Sequence, residues 1–127
     1  MITVTRVDHI ALTVRDLKQS ERFYREILGF KPLGPIKGHV FMESGEVELA
    51  LFQVEDPKKA RDPGGWGNID VQHVAFTVDK EQFETAQAFL SSRGVQSEGP
   101  VDHGTALSIY FKDPDGNTFE LTYNKES

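Results

Sequence analysis

The 127-residue chain predicts an α+β fold built from two tandem βαβββ modules, and two observations carry that prediction. The second half repeats the first: residues 7–14 read VDHIALTV and residues 71–78 read VQHVAFTV, with five of eight positions identical. Each segment then runs into a D-x-x-Q box, Asp16 to Gln19 and Asp79 to Gln82. An aspartate there supplies the N-cap oxygen that starts a helix.

The elements follow in order. Both repeated segments alternate large apolar residues with small or polar ones, the period of a strand. Leu17, Phe23 or Tyr24, Ile27 and Leu28 form the apolar stripe of the first helix; Phe83, Ala86, Phe89 and Leu90 form that of the second. Each helix stops at a glycine, Gly29 or Gly94, suited to the residue just past a helix end. Strand-like runs follow at about 30–35, 39–43 and 46–53, and again at about 95–98, 105–112 and 117–123. Ser44-Gly45 and the run DPDGN at 113–117 supply the last turn of each half. The endings GEVEL (45–49) and NTFEL (117–121) match as well. The intervening stretch is rich in Pro, Gly and charge and has no element of its own. The modules are therefore 1–53 and 70–127 with a linker at 54–69, in a single domain because two units this small need a shared core.

Composition narrows the function. Hydrophobic residues make up 38% and charged residues 27%, which argues for a globular protein rather than a disordered one. The net charge of −6 disfavours nucleic acid and anionic membrane as partners, since both require a cationic face. There are no cysteines, so disulfides, thiolate metal sites and a cysteine nucleophile are excluded. Any metal ligands must be nitrogen or oxygen. The N-terminus lacks the apolar core of a signal peptide. No apolar run reaches the roughly 18 residues of a membrane span. A cytoplasmic location is the default expectation.

Alternation assigns the polar residues to faces. Ile10, Leu12 and Val14 point toward the helix, whereas Val7, His9, Ala11 and Thr13 point away. In the second half Val74, Phe76 and Val78 oppose Val71, His73, Ala75 and Thr77. Glu48 and Glu120 likewise fall on the helix-free sides of the last strands, at positions that match when GEVEL is laid on NTFEL. A lone His or Glu on an outer strand face is most often simply solvated. Four such residues at matching places of a repeat are not explained that way. Two histidines and two carboxylates, His9, Glu48, His73 and Glu120, suit a first-row divalent ion (Ni, Zn, Co, Mn or Fe).

These residues also carry a resemblance. The run His9-Ile-Ala-Leu-Thr-Val14, then Ser20-x-x-Phe23-Tyr24 and Leu28-Gly29-Phe30, resembles the first signature of the glyoxalase I family. The closing FKDPDGNTFEL (111–121) is similar to the wider vicinal-oxygen-chelate superfamily, which includes bleomycin-resistance proteins, extradiol dioxygenases and fosfomycin-resistance enzymes. The resemblance implies a cup-shaped eight-stranded mixed sheet with helices on its outer face, often completed by a homodimer. It implies one divalent metal in the cup and a small-molecule substrate that chelates it.

On that resemblance His9, Glu48, His73 and Glu120 match the four ligand positions of bacterial-type glyoxalase I (lactoylglutathione lyase). The expected reaction is an isomerisation through a metal-chelated enediolate, with Glu120 as the proton shuttle and Glu48 as its symmetric partner. The sequence departs from that pattern in Val71-Gln72 before His73, and it offers no arginine cluster for the glutathione carboxylates. Three alternatives stay open: an Fe(II) extradiol-type dioxygenase using only His9, His73 and Glu120, a fosfomycin-type thiol transferase, and a metal-free drug-sequestering protein. His39, Phe41, Phe52, Ser108 and Tyr110 share the helix-free faces and are expected to line the substrate site. His103 lies in a Gly-flanked loop, where gating the site and simple solvation are both open.

Overall fold

The computed structural model describes residues 1–125; Glu126 and Ser127, at the end of the second module, lie outside the described residues. The chain forms two compact units, Met1–Arg61 and from Asp62 onward. The first contains β1 (Ile10–Val14), α1 (Leu17–Leu28), β2 (Lys31–Pro32), β3 (His39–Ser44) and β4 (Val47–Gln53). The second contains β5 (Val74–Thr77), α2 (Lys80–Ser92), β6 (Ser97–Asp102), β7 (Ala106–Lys112) and β8 (Thr118–Asn124). The eight strands divide into two four-stranded mixed sheets, β1-β4-β3-β2 and β5-β8-β7-β6. The edge strands β1 and β5 run parallel to β4 and β8, and the remaining neighbours pair antiparallel. The two βαβββ modules are thus present, and residues 54–73 contain neither helix nor strand.

Both helices start where the boxes place them. The Asp16 carboxylate accepts from the Gln19 amide at 3.1 Å, and Asp79 accepts from the Gln82 amide at 2.8 Å. Each satisfies an amide that the first turn leaves without an intrahelical partner. Gly29 closes α1 at φ 72°, in the left-handed region. Gln53, at the end of β4, ties the loop before α1 to the sheet. Its side chain accepts from the Leu17 amide at 2.9 Å and donates to the Arg15 carbonyl at 2.6 Å.

Each unit has its own core between helix and sheet. In the first, Val14, Leu17, Tyr24, Phe30, Val40, Met42, Leu49 and Leu51 are buried. In the second, Phe83, Leu90, Ile109, Phe111, Phe119 and Leu121 are buried, with the Phe119 ring stacked on Phe76 and Phe111 at 5.7 and 6.0 Å. Strand alternation holds where it was expected: in β3, Val40 and Met42 face the core while His39, Phe41 and Glu43 are exposed.

The differences from expectation have local causes. The first strands of both halves begin at Ile10 and Val74 rather than at residues 7 and 71. In the observed register residues 7 and 71 fall opposite the turns that lead into β4 and β8, at Gly45–Glu46 and in the DPDGN run. Val7 and Val71 are consequently exposed. β6 lies at Ser97–Asp102, later than the expected run near 95–98. Its pairing with β7 shifts between Glu98 and Val101, which absorbs Gly99 and Pro100 on an edge strand. Gly99 is required there, because a Cβ would stand 2.7 Å from the Ser108 carbonyl oxygen. β2 is only Lys31–Pro32, cut short by Gly34 and Pro35. Among the described residues no helix is long and apolar enough to cross a membrane.

Candidate functional site

In the second unit, four of the expected site residues meet. Tyr110 is the cross-strand partner of Glu120, and Ser108 that of Thr122. Side chains of partners lie on one face, so β7 and β8 present Ser108, Tyr110, Glu120 and Thr122 together. The His73 Nε2 stands 3.2 Å from Glu120 Oε1. The buried Ser108 hydroxyl donates to Glu120 Oε2 at 2.5 Å. The Tyr110 ring meets the His73 ring edge-on at 6.3 Å.

The histidine tautomer follows from its other partner. His73 Nδ1 lies 2.9 Å from the Gln72 side-chain oxygen, which only accepts, so Nδ1 carries the proton and Nε2 is left facing the carboxylate. Two electron-rich atoms at 3.2 Å need a proton or a cation between them. Two donors that each stand about 2.1 Å from one ion, at angles between octahedral and tetrahedral, lie roughly 3.0–3.4 Å apart. The His73–Glu120 separation fits that range, and the held Nδ1 is the outer support that metal-binding imidazoles use.

The first unit repeats part of this. His9 Nδ1 donates to Asp8 Oδ2 at 2.8 Å, leaving Nε2 available as at His73. The imidazole beside Asp8, chiefly through that hydrogen bond, holds the carboxyl below its ordinary pKa. His39, Phe41 and Phe52 gather on the helix-free face: His39 stacks on Phe52 at 5.7 Å and meets Phe41 edge-on at 5.5 Å. Asp8 and Gln72 were not singled out from the sequence. The available signal was their place directly before the two repeated histidines.

Strand register revises the equivalence of the two glutamates. Ile10 pairs with Leu49, and its repeat-mate Val74 pairs with Phe119. Ala11 therefore pairs with Ala50 where Ala75 pairs with Glu120. The residue in the first unit that mirrors Glu120 is Ala50, and Glu48 mirrors Thr118. Glu48 is half-buried and sits across from Glu43 on β3. Within either unit, the described residues contain no group of three or more His, Cys, Asp or Glu side chains close enough to hold a metal ion.

A duplicated βαβββ unit with a histidine ahead of each first strand and a glutamate on the last defines a recognisable class. The chain belongs to the Glyoxalase/Bleomycin resistance protein/Dioxygenase superfamily, whose family model matches residues 6–121. It is 33% identical to Virulence protein STM3117 of Salmonella typhimurium, over 94% of this chain and 84% of that protein. It is 32% identical to the Metallothiol transferase FosB of Staphylococcus saprophyticus, over 93% of this chain and 76% of that one. Among solved structures, an integron cassette protein from the mobile metagenome of Halifax Harbour sewage outfall superposes with a TM-score of 0.75 at 29% identity. That match covers 94% of this chain and 99% of the other.

Proposed function

We propose that the chain is a divalent-metal-dependent enzyme whose donors are His9, His73 and Glu120, and that it adds a low-molecular-weight thiol to a small epoxide of the fosfomycin type. The observation that carries this reading is the His73 Nε2–Glu120 Oε1 separation of 3.2 Å, with His73 Nδ1 held by Gln72 and Glu120 Oε2 held by Ser108. The likeness to a metallothiol transferase over 93% of the chain supports the reaction class.

A bound ion supplies Lewis acidity toward the epoxide oxygen. The chain's own groups do the rest. Ser108 fixes the carboxylate so that one oxygen stays directed at His73. In the addition the thiol gives up its proton to solvent, a sulfur–carbon bond forms as the epoxide carbon–oxygen bond breaks, and the released oxygen takes up one proton, so no proton is gained or lost overall. The Tyr110 hydroxyl lies on the same face as Glu120 and is the group assigned to donate to that oxygen. Lys112, two residues on along β7, provides a cation for an anionic substituent.

The isomerase reading, lactoylglutathione lyase-like chemistry with Glu48 as fourth ligand and second acid–base group, draws less support. Its symmetry argument rested on equating Glu48 with Glu120, whereas register equates Ala50 with Glu120. The dioxygenase reading uses the same three donors and differs in requiring iron.

The test is metal analysis of mildly purified protein together with turnover of fosfomycin and glutathione or L-cysteine. About one divalent ion per chain and thiol adduct formation are expected. Protein that takes up no divalent ion would overturn the metal reading. Iron content with ring cleavage of a catechol would replace thiol transfer by the dioxygenase.

A further inference from the structure

We propose that His103 is a positioning residue that fixes the Tyr110 hydroxyl toward an oxygen of the metal-chelating substrate. The inference rests on the metal-site reading above and goes beyond it in assigning a residue outside the donor set.

His103 Nε2 lies 3.1 Å from the Tyr110 hydroxyl. The residue sits in the β6–β7 turn, and that turn is held unusually firmly for an exposed one. The His103 amide donates to the Ala106 carbonyl at 2.8 Å. Asp102 Oδ1 accepts from the Gly104 amide and from Lys125 Nζ, both at 2.8 Å. The Lys125 amide in turn donates to the Thr105 carbonyl at 2.8 Å. Four bonds thus fix the backbone that carries one imidazole, and that imidazole is directed at one phenol.

A tyrosine hydroxyl alone rotates about its C–O bond and spreads its proton over several directions. A single fixed partner removes that freedom. With Nε2–H donating to the phenol oxygen, the phenol proton is left for the substrate oxygen, which is the arrangement the proposal requires. The ring, already edge-on to His73, then holds its hydroxyl in one place. A hydrogen bond between exposed side chains adds little to folding stability because water competes for both groups. Its geometric effect on Tyr110, a cross-strand partner of Glu120, is the larger consequence.

The probe is acetohydroxamate, a chelator with two vicinal oxygens, titrated into Mn²⁺-loaded full-length protein. His103→Ala and Tyr110→Phe should each weaken hydroxamate binding about 3–10-fold, the range of one ordinary hydrogen bond. The double variant should be no weaker than Tyr110→Phe alone. His103→Gln, which keeps a donor and an acceptor, should recover part of the loss. Mn²⁺ affinity should stay within about twofold of the parent, because His103 and Tyr110 hydrogen-bond each other and do not support a donor side chain. In protein without metal, Tyr110→Phe should shift the His103 imidazole ¹⁵N resonances.

Additive losses in the double variant, an unchanged affinity for His103→Ala, or parent protein that binds Mn²⁺ but not hydroxamate would each overturn the proposal. Failure of thiol transfer alone would leave hydroxamate coupling intact, so the two readings fail separately.

Discussion

Replacing Ser108 by alanine tests whether the His73–Glu120 pair is a supported donor set. Ser108 is fully buried, and its hydroxyl donates to Glu120 Oε2 at 2.5 Å. The Glu120 side chain is only 12% exposed, so water replaces the lost donor poorly. A hydrogen bond to a charged group is worth about 1.5–3 kcal/mol. For a chain of 127 residues the unfolding entropy near the midpoint is roughly 0.27 kcal/mol per kelvin, and the variant should melt about 6–11 °C lower. The same loss should be felt by a bound ion, because removing an outer support costs about 10–100-fold in metal affinity. Thermal unfolding followed by circular dichroism, and Zn²⁺ competition against a chromophoric chelator, measure the two quantities on one sample. A lower melting temperature with metal affinity unchanged would refute the reasoning: Ser108 would then stabilise the sheet without supporting a donor.

Three further outcomes are expected. Glu48→Gln should leave metal stoichiometry and turnover within about twofold if three residues bind the ion, whereas loss of a fourth ligand should cost at least the roughly 10–100-fold in affinity that loss of an outer support costs; equilibrium dialysis with steady-state kinetics separates them. Leu49→Ala, at a position with no exposed surface, should cost about 2–5 kcal/mol, read from the urea midpoint. The Asp102 carboxyl is held below its ordinary pKa, first by its hydrogen bond to Lys125 and next by the Gly104 amide. A depressed carboxyl contributes its stabilisation above its unfolded pKa and loses it as pH falls through the lower folded value. Melts between about pH 2 and 5 should therefore show a steeper acid loss for the parent than for Asp102→Asn.

Much of the fold was legible because its signals are local. The Asp16 and Asp79 caps and the alternation in β3 and β8 each depend on a few neighbouring residues and appear where expected, whereas Phe89 of the expected α2 stripe is exposed and Leu49, Ala50 and Leu51 of β4 are all buried. What was misread shows the limit of that information. Laying GEVEL on NTFEL placed Glu48 opposite Glu120, yet the strands align two residues differently. A slip of one residue would have moved every side chain to the wrong face and been visible; a slip of two preserves the face and is invisible to alternation. Only the pairing of β4 with β1 and β8 with β5 resolves it. Asp8 and Gln72 were hidden for another reason. Adjacent residues in a strand point to opposite faces, so neither was an obvious partner for the next histidine. Both pairs lie just ahead of their strands, where that constraint has lapsed.

The register at Ala50 has a consequence for how the two halves differ. At this position the repeat differs by one side chain: a methyl on β4 where β8 carries a carboxylate. Ala50 is 1% exposed and pairs with Ala11 and Phe41, so the symmetric acid would be placed among small and aromatic groups. Burial there would penalise its charged form unless a cation shared the space. Acidity at one half and its absence at the other thus make an otherwise duplicated scaffold directional. A single exchange, Ala50→Glu, would give each unit an acid at the same register position.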